Sequence, residues 1–248
     1  WPDSMFCYLT GENILFSNDA FGQHYATEAL FNDLVEQDEL MAESIKYYAN
    51  ILTPFSRLIP KKIDEIVGFN VPLDMICTSH GVIWRDNPMQ IVELYAKWAD
   101  NYQENQVTIA YDTMWESTRK MAEAIAVGLR KDDPSLRVKL YNLAISDFND
   151  VLTEVFKSKA VLLGSSTINK GILPHVAALL QAMKGLAFKN KKAAAFGSYG
   201  WSGEHLDILT KGLEDAGFDV LNEGLRLLWN PDDELLAKCR EYGEALLK

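Results

Sequence analysis

From residue 107 onward the chain repeats one pattern five times: a short apolar strand, a polar loop, then a helix. Strands are expected near 107–111, 138–143, 160–163 and 193–196, with a fifth before a closing helix at 232–247. The other helices are expected near 117–130, near 149–156, from Pro174, and up to Gly217. Such an alternation predicts an α/β domain built on a doubly wound, five-stranded parallel sheet, because each parallel strand needs a helical crossover and both faces need cover. Composition permits it. At 48% hydrophobic and 24% charged, the 248 residues can bury a core and are not a disordered chain.

The charge balance narrows the partners. Lys and Arg number 24 against 35 Asp and Glu, a net of −11. That argues against nucleic acid and against an anionic membrane, since neutralising phosphates takes a basic face. Cys7, Cys77 and Cys239 are far apart and no CxxC occurs, which points away from zinc ribbons and disulfide scaffolds and toward a reducing, cytoplasmic setting. No apolar run spans a bilayer and no signal peptide is visible. The chain opens on Trp1-Pro2-Asp3 without a Met and reads as cut from something longer.

The first 105 residues have a different rhythm. A β-hairpin is expected over 5–19, turning at Gly11-Glu12-Asn13. Leu30, Leu34, Met41, Ile45, Tyr48 and Leu52 predict one long helix over 27–52. A shorter helix is expected at 61–68 and a strand at 73–78. Asn87-Pro88 then reads as a helix start, with Asn87 as N-cap, Gln90 as its capping-box partner, and Ile91, Leu94, Tyr95 and Trp98 as the buried stripe. The polar stretch 99–106 marks a boundary, giving domains 1–105 and 106–248.

Open parallel sheets bind ligands beyond the carboxyl ends of their strands. Three such ends carry loops rich in glycine and hydroxyls: Thr113, Met114, Trp115, Glu116, Ser117 and Thr118; Ser165, Ser166, Thr167, Ile168 and Asn169 within 164–171; and Ser198, Tyr199, Gly200, Trp201, Ser202 and Gly203. The first opens a helix, whose free N–H groups and dipole favour a phosphate. It lacks a Walker lysine and a G-x-G-x-x-G pattern, so nucleoside triphosphates and NAD fit poorly. The other two offer amides and the Trp201 ring to a flat heterocycle. Any one loop alone is equally a plain helix-capping turn; three at one sheet edge point to flavin mononucleotide (FMN). His175 and His205 read as solvent-facing histidines near helix starts, with capping as a possible extra role.

The stretches Tyr111-Asp112-Thr113-Met114-Trp115, Ser198-Tyr199-Gly200-Trp201-Ser202-Gly203 and Thr78-Ser79-His80-Gly81 resemble the flavodiiron proteins, or A-type flavoproteins, and the resemblance extends over the whole chain. It implies a flavodoxin-like FMN domain at 106–248, preceded by the C-terminal half of a metallo-β-lactamase-like αββα domain. By motif, Asp19 matches the iron-bridging Asp and His80 the last His ligand. The H-x-E-x-D-H motif is absent, so the remaining ligands of a diiron centre (Fe) are expected upstream of Trp1, and little iron is expected from this chain alone. Read without the family, Asp19 is a turn residue and His80 a strand-end histidine. His24 and Tyr25 correspond to residues near the open face of the metals and are the candidate catalytic pair; a surface histidine at a helix start is the other reading of His24. Trp1, Trp84 and Phe21 wall the pocket or simply pack the core. Two features depart from simple flavodoxins: Trp115 stands where a third phosphate-loop hydroxyl is usual, and Glu116 is unfavourable beside a phosphate unless it faces water.

The resemblance further implies an oxidoreductase. Electrons pass from a rubredoxin-type donor through FMN to a non-haem diiron site that reduces dioxygen to water or nitric oxide to nitrous oxide. It implies a head-to-tail homodimer, with no nucleic acid and no membrane involved. A flavodoxin-like electron carrier without a working metal site is the alternative. A metallo-hydrolase fits less well, given a flavin domain.

Overall fold

The computed structural model describes residues 4–248; Trp1, considered above as a pocket wall, lies outside them. The chain divides into two compact units, Trp1–Tyr102 and Gln103–Lys248. Among the described residues no helix is long and apolar enough to cross a membrane, and Cys7, Cys77 and Cys239 are all free thiols.

In the first unit, β1 (Cys7–Leu9) and β2 (Ile14–Asn18) form the expected hairpin, with Cys7 opposite Phe16 and Leu9 opposite Ile14. Strand β3 (Met75–Thr78) joins β2 in parallel, pairing Ile14 with Met75 and Asn18 with Thr78. The loops after β2 and β3 therefore leave the sheet at the same edge. Helix α1 spans Gln37–Tyr47 and runs on as a wider π-helical turn to Leu52, so the single helix expected over 27–52 is only its second half. The reason is tertiary. The buried Asn32 side chain donates to the Asp86 carbonyl (2.9 Å) and accepts from the Arg85 and Asp86 N–H groups (2.9 and 3.1 Å). Phe31 also bridges to Ile83 as a short strand. This pairing overrides the helical spacing and leaves Leu30 and Leu34 exposed.

Helix α2 spans Ile59–Gly68 and α3 spans Met89–Ala99. The capping box expected at Asn87 does not form. Asn87 lies in the left-handed region (φ 45°), Pro88 occupies the cap, and the Gln90 side chain donates backward to the Asp86 carbonyl (2.8 Å). The α3 stripe buries Ile91, Val92, Tyr95 and Trp98, while Leu94 is half-buried.

The second unit runs β4 (Glu104–Tyr111), α4 (Ser117–Leu129), β5 (Arg137–Asn142), α5 (Phe148–Lys157), β6 (Ser158–Gly164), α6 (Pro174–Leu186), β7 (Lys192–Tyr199) and α7 (Glu204–Asp215). Two short strands, β8 (Asp219–Val220) and β9 (Leu225–Leu228), and α8 (Asp233–Ala245) complete it. The strand order is β5-β4-β6-β7, and both short strands pair with β7, all in parallel. The fifth position of the predicted sheet is thus filled by two pieces: Val220 faces Ala193, and pairing resumes at Leu225 opposite Phe196.

Alternation along the strands sends Val107, Ile109, Leu162 and Phe196 into one core beneath α4 and α8. Full burial of such side chains contributes roughly 1.5–3 kcal/mol each. Helices α4 and α8 touch backbone to backbone. A Cβ on Gly243 would lie 2.3 Å from the Ile125 carbonyl oxygen, a contact no rotamer relieves. Gly243→Ala is expected to cost about 1–3 kcal/mol of stability, read as a lowered urea midpoint with unchanged m-value.

Candidate functional site

The three hydroxyl-rich loops leave the carboxyl ends of β4, β6 and β7, and the structure brings them together. Thr118 Oγ1 lies 3.0 Å from Ser166 Oγ, which lies 3.3 Å from Ser198 Oγ, so one chain of buried hydroxyls crosses all three. Backbone bonds fix the same junction: Asp112 N–H to the Gly164 carbonyl (3.1 Å), Ser165 N–H to Phe196 (3.1 Å) and Thr167 N–H to Ser198 (3.0 Å).

Ser117 and Thr118 are buried in the first turn of α4, which carries no acidic residue. Its N-cap, Glu116, is in the left-handed region (φ 64°) and makes no side-chain cap bond. The Glu116 carboxylate instead pairs with Arg119, and Arg119 also meets Glu123 at 2.7 Å. The acid beside the helix start is thereby compensated. Thr113 Oγ1 is buried and has no hydrogen-bond partner. A buried orphan hydroxyl in the loop that leads into α4 fits an incoming anion, because leaving it unpaired costs about 1–3 kcal/mol. Met114 and Trp115 point outward, with Trp115 83% exposed.

In the second loop, Ile168 and Gly171 exchange backbone bonds (3.2 and 2.7 Å) across Asn169 and Lys170, both at positive φ. This is a tight two-residue reversal that stiffens 165–171. In the third loop, Trp201 is 95% exposed, Ser202 bonds Glu204 and holds its carboxyl below the usual range, and Gly203 starts α7. Tyr199 and Gly200 meet a residue the sequence reading passed over. Trp229 follows β9, is 59% exposed, sits at φ 60°, donates its N–H to the Tyr199 carbonyl (2.8 Å), and meets Trp201 edge-to-face at 6.1 Å. The strand-end rule that picked out the other loops applied to it equally.

His175 and His205 differ from each other. His175 is exposed, as expected, yet its Nδ1 lies 2.8 Å from the buried Asp112 carboxylate. His205 is fully buried, contrary to the solvent-facing expectation, because α7 lays its first turn against β7 and the Thr167 loop. Burial, assisted by Arg226, pushes its imidazole down to about 4.

In the first unit, the parallel β2–β3 pair delivers Asp19 and His80 side by side. His80 Nε2 is 3.6 Å from Asp19 Oδ1, which also accepts from Ser79 Oγ (3.1 Å). His80 Nδ1 lies 3.2 Å from the Gln23 carbonyl, an acceptor only, so a proton on Nδ1 would be bonded there and leave the Nε2 lone pair toward Asp19. Gln23, fully buried, bonds Val82 on both sides and leaves no room for a side chain at Gly81, where φ is 78°. A carboxylate oxygen and an imidazole nitrogen at this spacing suit a shared metal ion with bonds of about 2.1 Å. They are two ligands, and among the described residues no group of three or more His, Cys, Asp or Glu is placed to hold a metal.

His24 is exposed, its ring 5.2 Å from His80 and 4.9 Å from Tyr47. The Tyr25 hydroxyl donates to Glu39 (2.9 Å), which raises its pKa. Tyr47, which the helical spacing did not single out, sets its ring 5.0 Å from that of His80 at a tilt of 54°; burial and the Asp19 charge push its hydroxyl up to about 12. Trp84 is core, its Nε1–H donating to the Phe21 carbonyl (2.8 Å). Phe21 is buried too, and lines an apolar cavity of about 530 Å³ that opens beside Asp19.

The flavodoxin family profile matches residues 109–243. The chain is 58% identical over all its 248 residues to the anaerobic nitric oxide reductase flavorubredoxin of Escherichia coli, covering 52% of that protein. It spans about half the length of the curated relatives it matches. Among solved structures, the rubredoxin:oxygen oxidoreductase of Desulfovibrio gigas superposes with a TM-score of 0.94 at 37% identity, over 99% of this chain and 61% of that one. The flavodiiron protein of Giardia intestinalis gives 0.92 at 35% identity, over 99% and 60%.

The buried His205 sets a pH dependence. Its pKa falls from 6.5 to about 4 on folding, so the unfolded chain binds the proton more readily. Stability from this group is full above pH 6.5 and is lost as pH falls toward 4, by about 3 kcal/mol. His205→Gln is expected to flatten the pH profile of unfolding free energy by about that amount across the same window, measured by urea titration.

Proposed function

Because this chain belongs to the flavodiiron proteins, with a flavodoxin domain over residues 109–243, we propose that it binds FMN and serves an oxidoreductase. In that enzyme, electrons from a rubredoxin-type donor pass through the flavin to a non-haem diiron site. The observation carrying the flavin reading is the hydroxyl chain Thr118–Ser166–Ser198, which unites the three loops at one sheet edge. The name of the flavorubredoxin relative favours nitric oxide as substrate; that of the D. gigas neighbour keeps dioxygen in view.

The residues present fit FMN. Thr113, Ser117 and Thr118, with the α4 N–H groups, would hold the phosphate without added charge, while Arg119 neutralises Glu116. The segments 165–169 and 198–203 would hold the ring system through amides and hydroxyls, with the exposed Trp201 as an aromatic wall. Bound FMN supplies the electron transfer. The protein's own work is to orient it, exclude water and set the polarity of its hydrogen bonds.

The residues present fit iron only in part. Asp19 and His80 are two candidate ligands, and a hydrogen bond from His80 Nδ1 to the Gln23 carbonyl would leave Nε2 free to ligate. The remaining ligands belong to sequence that the relatives have and this chain does not span. His24 and Tyr25 are the proposed proton-handling groups, Tyr25 acting through Glu39, and Tyr47 joins them beside His80. We place the enzyme in the cytoplasm as a head-to-tail homodimer, without nucleic acid or membrane partners. The two-ligand metal set favours a second reading for this chain alone: an FMN electron carrier.

Measuring flavin and iron separately on the purified chain tests both readings. One FMN per chain with iron well below one is the expected result; no flavin uptake from excess FMN would overturn the proposal. Thr113→Val combined with Ser117→Ala is expected to weaken FMN binding about tenfold or more, by fluorescence titration. In a protein carrying the complete ligand set, Asp19→Asn is expected to lower nitric oxide consumption by roughly 100-fold or more with FMN content unchanged.

A further inference from the structure

Asp112 directly precedes Thr113, and its carboxylate is buried, with 8% of the side chain exposed. A bare carboxylate at that position would repel the phosphate proposed above. The structure holds it by both oxygens. Oδ1 accepts from the Thr113 N–H (2.7 Å), and Oδ2 lies 2.8 Å from His175 Nδ1. A carboxylate has no proton to give, so the imidazole donates. That holds whether the ring carries one proton or two, and in either state the positive end of an N–H faces Asp112. Both ends of this bridge are anchored. The Asp112 N–H is bonded to the Gly164 carbonyl (3.1 Å). His175 is the second residue of α6, after Pro174, and the preceding Leu173 N–H donates to Ser165 Oγ (2.9 Å) in the second loop. The His175 side chain itself is 58% exposed, so it packs little of the core.

We propose that His175 is a positioning residue, acting through Asp112, that makes the first loop select the phosphorylated flavin over riboflavin. The inference rests on the FMN reading above. Asp112 takes up the Thr113 N–H, which leaves Thr113 Oγ1, buried and without a partner, as the donor this residue can offer a ligand. Holding Asp112 by its far oxygen fixes the peptide that carries that hydroxyl. Answering the Asp112 charge lowers the repulsion that an incoming phosphate meets. Both effects have the same sign, so loss of the imidazole donor weakens phosphate binding. Riboflavin has the same ring system and no phosphate, and neither effect reaches it.

The test is a fluorescence titration of the full chain, freed of flavin, with FMN and with riboflavin at one pH and ionic strength. His175→Phe keeps a ring without a donor, His175→Gln returns an N–H donor, and Asp112→Asn keeps an acceptor for the Thr113 N–H while removing the charge. His175→Phe is expected to weaken FMN binding about tenfold and to change riboflavin binding by less than about twofold. His175→Gln should stay within about threefold of the parent for FMN. In the Asp112→Asn background, adding His175→Phe should change FMN affinity by less than about twofold, because the charge it answers is gone. The phosphorus NMR resonance of bound FMN should move in His175→Phe and return in His175→Gln. FMN affinity unchanged in His175→Phe overturns the proposal. So does an equal loss for FMN and riboflavin, a His175→Gln variant as weak as His175→Phe, or an undiminished effect of His175→Phe in Asp112→Asn. Should the phenylalanine variant not fold, His175→Ala is judged by the same criteria. A parent chain that takes up no FMN overturns the flavin reading itself; a parent that binds FMN no better than His175→Phe does overturns this inference alone.

Discussion

Parallel strand pairing puts the carboxyl ends of neighbouring strands at a common edge, and both candidate sites depend on it. In the first unit the register Asn18 opposite Thr78 makes the next residues of two distant segments neighbours, so Asp19 and His80 meet although 61 positions separate them. In the second unit, Tyr111 pairs with Gly164 and Gly164 with Phe196, so the loops after β4, β6 and β7 start level with one another. The ladder hydrogen bonds themselves contribute little net stability each. Their importance is geometric: they fix where the loops begin, and the short loops have little freedom thereafter.

The chemistry at the second-unit edge is that of neutral donors in an acidic protein. A net charge of −11 opposes any anion at long range, a penalty that salt screens within about 10 Å. Locally the balance differs. Hydroxyls from Thr113, Ser117 and Thr118 carry no charge, the α4 dipole favours an anion, and the two neighbouring acids are engaged, Glu116 by Arg119 and Asp112 by the Thr113 N–H and His175. The other two loops add shape to this edge. There the tight reversal at Asn169-Lys170 and the Trp201–Trp229 corner set the shape.

The two sites are unequal in completeness. The flavin loops close on each other through side-chain and backbone bonds made wholly within the second unit. In the first unit, Gln23 orients His80 and Ser79 orients Asp19, yet among the described residues no group of three or more His, Cys, Asp or Glu is placed to hold a metal. Supporting hydrogen bonds come from local sequence, whereas the ligands of a metal ion converge from several segments.

Strand–helix alternation and the glycine and hydroxyl loops at strand ends were legible in the sequence, because each follows from local periodicity or from chemistry carried by consecutive residues. The loops could therefore be named before their contacts were known. What the sequence could not yield involves partners distant in the chain. The helix expected over 27–52 starts only at Gln37 because Asn32 finds Arg85 and Asp86, and no local pattern encodes that pairing. Asn87 looks like a cap and is instead a left-handed corner. His205 sits on a helix start that reads as solvent-facing, and only the packing of α7 on β7 and the Thr167 loop buries it and so pushes its pKa down. Tyr47 and Gln23 acquire their places beside His80 by the same route. Local sequence determines which elements form, since backbone preference and hydrophobic period act over a few residues; burial, tautomer and pairing are settled by neighbours that only the folded chain brings into range.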